Sequence, residues 1–134
     1  IRPSSELNMM ALKDALILKD QVKILRALEN MQNANLSSPI MILLRSKIGP
    51  VGLALEWLEV GLLLRKGAPI EEVSALTGIP EWKLKKETLP AIKRWGTSNL
   101  QKLIEDLGRI ELQIFKGGPS PWGACVSSLM IRSA

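Results

Sequence analysis

Lys83, Lys85 and Lys86 close the stretch APIEEVSALTGIPEWKLKK, residues 68–86. A short apolar-periodic segment, a turn at Thr77-Gly78 and a proline-led basic segment form the pattern of a DNA-binding helix-turn-helix. The chemistry open to it is neutralisation of phosphate by lysine. Lys93 and Arg94 extend the run, so that from Lys83 to Arg94 five basic residues meet one acidic residue, Glu87. Trp82 and Trp95 flank it. A solvated helix face is the plainer reading of the same charges, because no clustered aromatic-basic motif accompanies them. Trp82, Lys83, Lys86, Lys93 and Arg94 are the candidate contacts to a partner or to DNA.

Other chemistry is scarce. The chain has no histidine, which removes the commonest general base and every Ser-His or Cys-His arrangement. One cysteine and no histidine exclude a zinc site of the usual spacing. Neither a P-loop nor a G-x-G-x-x-G motif occurs, so no nucleotide cofactor is expected. The adjacent pairs Glu71-Glu72 and Glu105-Asp106 diverge on a helix and read as solvated charge. Cys125, on an apolar segment with nothing nearby to lower its pKa, reads as a small core residue. Trp57 reads as core, and an exposed tryptophan elsewhere would mark a partner surface.

The elements that must position these residues are helical. Leu7, Met10, Ala11, Ala15 and Leu18 predict one face of a first helix over 7–19. Asp20 can cap a second, with Val22, Ile24, Leu25, Leu28 and Met31 as its stripe. NANLSS (33–38) reads as a loop, and Ser38-Pro39 as a helix start. From Ile40 the pattern stays helical to Lys66, with a kink or break at GPVG (49–52). The segment 51–66 is apolar nearly all round and predicts a central helix, ended by Gly67 after the basic pair Arg65-Lys66. Pro69 and Pro80 open the next two helices, and Pro90 must disturb the second. Thr97 or Ser98 caps a helix over 99–116 whose stripe is Leu100, Leu103, Ile104, Leu107, Ile110, Ile114 and Phe115. After the loop KGGPSP (116–121), Trp122, Val126, Leu129 and Met130 predict a last helix over about 122–132.

Composition agrees. With 134 residues, 46% of them hydrophobic, the chain suits one domain with a real core. The absence of Tyr and a single Phe argue against a sandwich or barrel. The sum is an all-α bundle of about seven or eight helices, with residues 1–6 as a tail from an upstream region and 7–134 as one domain. The first residue, Ile1, is not a Met, which reads as a processed chain or a piece of a longer one. The longest apolar run, VGLALEWLEVGLLL (51–64), is interrupted by Glu56 and Glu59 and is shorter than the roughly 20 residues of a membrane span. The single cysteine fits a reducing compartment, and the net charge is a mild +5.

This order of elements resembles the C-terminal collar domain of the DNA polymerase III delta subunit, part of the bacterial clamp loader. The resemblance runs from about Leu7 to Met130. It lies in LKDALILKDQVKILRALENMQNANLSSPIMILLRSKI, where Lys19-Asp20 stands where the family often has Gly-Asp or Gly-Asn. It continues in WLEVGLLLRKGAPIEEVSALTGIPEWKLKK, similar to the family's long helix, glycine, short helix, turn and basic helix, and in LQKLIEDLGRIELQIFKGG. The chain departs from the family at Leu55 and Gly61, where an Arg and a Lys are usual, and has one residue more than usual between Glu111 and Lys116.

The resemblance implies a non-catalytic oligomerisation domain. Its partners would be the delta-prime and gamma/tau subunits, with DNA met through the whole complex. Clamp opening would belong to an N-terminal part outside this chain, and the setting would be the cytoplasmic replisome, without a membrane. The parent would be a subunit of the DNA polymerase III holoenzyme, which transfers nucleotides. It also implies that the helix-turn-helix look-alike is a packed part of the collar. A DNA-binding regulatory domain using residues 69–94 is the alternative. Glu81, Trp82 and Leu84 occupy much of the half-helix that a groove reader needs for polar side chains.

The spacing in 99–116 places Leu107 in the core and Arg109 opposite. Leu107→Ala is expected to cost about 2–5 kcal/mol and Arg109→Ala within about 0.5 kcal/mol, by urea denaturation. Equal small losses would mean an exposed stripe.

Overall fold

The computed structural model describes residues 4–33, 39–117 and 121–134. These are helical throughout apart from short turns, with no strand among them. The all-α expectation is therefore met. The helices are α1 (Ser4–Leu18), α2 (Gln21–Asn33), α3 (Pro39–Arg45), α4 (Pro50–Arg65), α5 (Ile70–Thr77), α6 (Glu81–Lys83), α7 (Leu89–Trp95), α8 (Thr97–Phe115) and α9 (Trp122–Arg132). A π turn, Leu84–Thr88, joins α6 to α7 into one continuous helix over 81–95. Of the loops expected over 33–38 and 116–121, residues 34–38 and 118–120 lie outside the described residues, as do the Ser38 cap, the Leu7 side chain and residues 1–3, while Asn33 ends α2.

Helix α8 carries the clearest stripe, and Leu100, Leu103, Leu107 and Ile110 are all buried along it. Leu107 is fully buried. The stripe packs against α4 on one side and α9 on the other. Phe115, read as part of this stripe, is instead exposed: Ile114 in the same turn packs against the core, and Phe115 lies about a quarter turn off that face. Helix α4 buries Leu53, Ala54, Trp57 and Val60 but leaves Leu55 and Leu62 half-exposed, so it is central on one face only.

Two other faces differ from expectation. In α1 the buried side chains are Met9, Leu12, Ala15 and Leu16, whereas Ala11 and Leu18 are exposed and Met10 is half-buried. Apolar residues lie nearly all round α1, so periodicity alone did not select the face; packing on α2 and α7 did. In α2 the stripe is Ile24, Ala27, Leu28 and Met31, and Val22 in the first turn is exposed.

Caps explain most of the breaks. The Asp20 carboxylate accepts from the Lys23 backbone N–H at 3.2 Å, as an N-cap should. The α1–α2 turn is a Schellman closure, with Lys19 N–H to Leu16 O at 3.0 Å and Asp20 N–H to Ala15 O at 3.1 Å. It puts Lys19 at φ 53°, the left-handed region usually held by glycine. That conformation costs a branched-Cβ-free residue such as lysine about 1–2 kcal/mol. The Lys19 ammonium offsets this, donating to the Ala134 carbonyl at 3.1 Å and standing 5.8 Å from the centre of the Trp95 ring.

The same closure ends α4, where Gly67 N–H reaches Leu64 O and Ala68 N–H reaches Leu63 O. The GPVG segment is a break, with Gly49 as extended N-cap and Pro50 as the first helical residue. Pro69 and Pro80 each stand one residue before their helix, as N-caps. Gly96, at φ 79°, precedes α8, which begins at Thr97 without a hydroxyl cap; the expected Thr97 or Ser98 cap is not used.

Pro90 does disturb its helix, but it does not end it. Proline has no N–H and its ring presses on the carbonyl four residues back. Immediately before it, Leu89 N–H bonds Leu84 O five residues back, and this wider turn relieves the conflict. The helix then continues to Trp95.

Gly52 lies in α4 against the α3–α4 turn. A Cβ there would sit 2.7 Å from the Lys47 carbonyl carbon and 2.8 Å from its Cα. Gly→Ala in a free helix interior stabilises by about 1 kcal/mol. Here the sign reverses, and Gly52→Ala is expected to cost about 1–3 kcal/mol in urea denaturation, the range for overpacking. A gain in stability would mean the turn is not held against α4.

Cys125 is fully buried in α9, and burial pushes its thiol up from 9.0 to about 11. The thiolate is the form disfavoured by the core, so the native state holds its proton more tightly than the unfolded chain does. The stability tied to this group is complete below pH 9 and declines as pH rises towards about 11. Alkylation of native protein at pH 8 is expected to follow the rate of unfolding; rapid labelling without loss of structure would contradict the burial.

Candidate partner interface

The module that holds the basic residues has its own small core. Val60 of α4, Val73 of α5, Ile79 of the turn and Leu84 of the π turn are buried together, with Leu63, Leu64, Ala68 and Ile70 packed around them. The turn is fastened by hydroxyls. Ser74 donates to Ile79 O at 2.6 Å, Thr77 donates to Val73 O at 2.7 Å, and Ile79 N–H donates to Thr77 Oγ1 at 3.3 Å. Ile92 packs against both this cluster and the main core, so the module is fused to the bundle.

The five candidate residues do not share one role. Trp82 is 62% exposed, and Lys85, Lys86 and Lys93 are exposed on the outside of the 81–95 helix. Lys83 is half-buried. Arg94 is exposed but already engaged, its guanidinium donating to Ile17 O at the end of α1 at 2.8 Å. There it satisfies a carbonyl left open by the helix end and suits the dipole. Trp95 is buried, and its indole N–H donates to Leu16 O at 2.7 Å. The pair Arg94-Trp95 thus locks α7 to α1, while Trp82 with Lys85, Lys86 and Lys93 forms the free surface.

On the neighbouring helix α5, Glu71 and Glu72 are exposed in the first turn, where they suit the helix dipole. In a helix-turn-helix the first helix crosses the nucleic-acid backbone, and two carboxylates there would meet phosphate. Glu81, in the first turn of the second helix, adds a third.

Sequence reasoning passed over three features. Asp106 is no solvated charge: its carboxylate bonds Arg132 Nε of α9 at 2.9 Å and also Arg109. With Asn99 donating to Arg132 O and Gln21 to Met130 O, both at 2.6 Å, it fastens the end of α9. The second feature is a cleft of about 240 Å³ where the end of α4 meets the start of α8, lined by Leu58, Leu62, Arg65, Thr97 and Gln101. The third is a groove of about 440 Å³ beside the turn, with Ile48, Leu55 and Ile79 as apolar walls and Glu56 and Glu59 along one side. The signal was in the sequence, since Glu56 and Glu59 are the charges that interrupt the apolar run of α4.

No group of three or more His, Cys, Asp or Glu residues that could hold a metal occurs among the described residues. No described helix is long and apolar enough to cross a membrane. No family model, curated protein or solved structure matches the chain.

Proposed function

We propose that this chain is an oligomerisation domain of the clamp-loader collar type, the C-terminal domain of a protein similar to the DNA polymerase III delta subunit. Its partners are then the homologous helical domains of delta-prime and gamma/tau subunits in a bacterial replisome. The observation that carries the reading is the apolar surface left on two helices packed together. Leu55 and Leu62 of α4 and Leu112 and Phe115 of α8 are each at least half-exposed, and the Leu58–Gln101 cleft opens beside Leu62. Scattered apolar side chains are ordinary on a surface, but Leu62 stands at a cleft between two mutually packed helices, and Leu112 and Phe115 add apolar surface further along α8, which suits a helix-on-helix contact. A specific contact of this kind buries about 1,200–2,000 Å².

The fused helix-turn-helix look-alike supports the same reading. Its second helix spends Trp95 and Arg94 on α1, and its first displays carboxylates. The reading as a DNA-binding domain over residues 69–94 rests on Trp82, Lys85, Lys86 and Lys93 being exposed together.

Size exclusion with light scattering, with and without the partner subunits, decides between them. Co-migration at micromolar concentration is expected, and Leu62→Glu with Phe115→Glu is expected to abolish it while leaving thermal stability within a few degrees. Absence of co-migration with either partner would overturn the proposal. Titration with duplex and primed DNA at low and physiological salt is the other arm: tight salt-dependent binding lost in Lys83→Glu with Lys86→Glu would favour the DNA reading.

A further inference from the structure

We infer that a second copy of this chain docks into the groove beside α4, supplying the exposed face of its own 81–95 helix. The inference does not rest on the collar reading. Both halves of the contact are present in one molecule. The receiving half is the groove of about 440 Å³, with apolar Ile48, Leu55 and Ile79 and with Glu56 and Glu59 on one side; Lys47 at its edge and Thr77 are the other polar side chains that line it. The inserting half is Trp82, 62% exposed, with Leu76 of α5 at 61% and the exposed ammonium groups of Lys85 and Lys86. A tryptophan ring buries about 150–250 Å² when it finds a pocket and is the side chain most enriched at interface anchors. The lysines one turn further along bring positive charge to the glutamate side of the groove.

Position supports a reciprocal contact. Thr77 and Ile79 line the groove, and Leu76 and Trp82 stand on either side of the same turn. The two halves therefore adjoin one another on the surface. Adjoining complementary patches are what a two-fold axis needs, since each copy then gives and receives once. Glu81 and Glu87, the acidic residues on the inserting helix, are both half-buried, less open to a partner than Lys85 and Lys86. The chain's net charge of +5 opposes association of two copies at long range, so the contact depends on local pairing. The contact is small, below the size of a standard interface, and is expected to be transient, with a dissociation constant between about 1 µM and 1 mM.

Sedimentation equilibrium of the chain alone tests this. The expected result is a monomer–dimer equilibrium in about 50 mM salt that weakens at least about tenfold in about 500 mM salt. Glu56→Lys with Glu59→Lys is expected to be monomeric, and so is Lys85→Glu with Lys86→Glu. An equimolar mixture of the two variants is expected to dimerise again, because each groove then meets a helix of opposite sign. All four substitutions fall on exposed or half-exposed positions, and circular dichroism of each variant checks that the fold is kept. A wild-type chain that stays monomeric to about 1 mM overturns the inference. So does a dimer that survives both reversals, which would place the contact elsewhere, or a mixture that stays monomeric. Because no partner subunit is present, these outcomes are separate from success or failure of the collar reading.

Discussion

Leu100, Leu103, Leu107 and Ile110 leave water together along α8, and α4 and α9 close on them from two sides. A nineteen-residue helix with polar and charged residues over half its length is marginal alone. Burial of each leucine is worth about 1.5–3 kcal/mol, so the stripe supplies the main drive to bring α4 and α9 into place. Once they are there, the remaining helices have walls to pack on: α3 against α4, α2 against α9, and the α5–turn–α6 module against the second half of α4. The surface follows from the same constraint. Helix α4 must turn Leu53, Trp57 and Val60 inward, which leaves Leu55, Glu56, Glu59 and Leu62 to its outer sides.

The helix ends are held by a set of side-chain donors that share one task. Lys19, Gln21, Arg94, Trp95 and Asn99 each give a hydrogen bond to a carbonyl in the last turn or terminus of another helix. The receiving residues, Leu16, Ile17, Met130, Arg132 and Ala134, sit at the ends of α1 and α9, where backbone acceptors have no partner within the helix. This explains why a lysine tolerates a left-handed conformation at position 19. The same side chain ties the first turn of the chain to its far end and covers the ring of Trp95. Lys19 and Arg94 are engaged within the molecule in this way, and Arg132 by Asp106, three of the eighteen basic residues.

What the sequence made legible depended on how one-sided each element is. In α8, apolar and polar residues separate cleanly, and its buried residues were read off almost without error. In α1 they do not, so the stripe through Met10, Ala11 and Leu18 was one of several that periodicity permits, and only the position of α2 and α7 selects the true one. Breaks set by covalent geometry were clear: Pro50, Gly67 and Pro90 each act locally. Caps set by competition were less so, since Thr97 offers a hydroxyl but Gly96 already turns the chain at positive φ. The roles of Asp106 and Arg94 were hidden because both depend on partners 26 and 77 residues away. The same holds for the groove, whose walls come from the α3–α4 turn, α4 and the α5–α6 turn.

The π turn has a consequence for the surface as well as for Pro90. An added residue in one turn shifts the angular position of everything before it relative to everything after it. Trp82 and Lys83 on one side, and Lys93, Arg94 and Trp95 on the other, are therefore not where a regular helix would put them. With the shift, Trp95 and Arg94 meet the end of α1 while Leu84 and Thr88 are still turned into the bundle, and Trp82, Lys85 and Lys86 stay outside. Pro90 is accommodated without ending the helix, which anchors on α1 through Arg94 and Trp95 and presents Trp82, Lys85 and Lys86 outward.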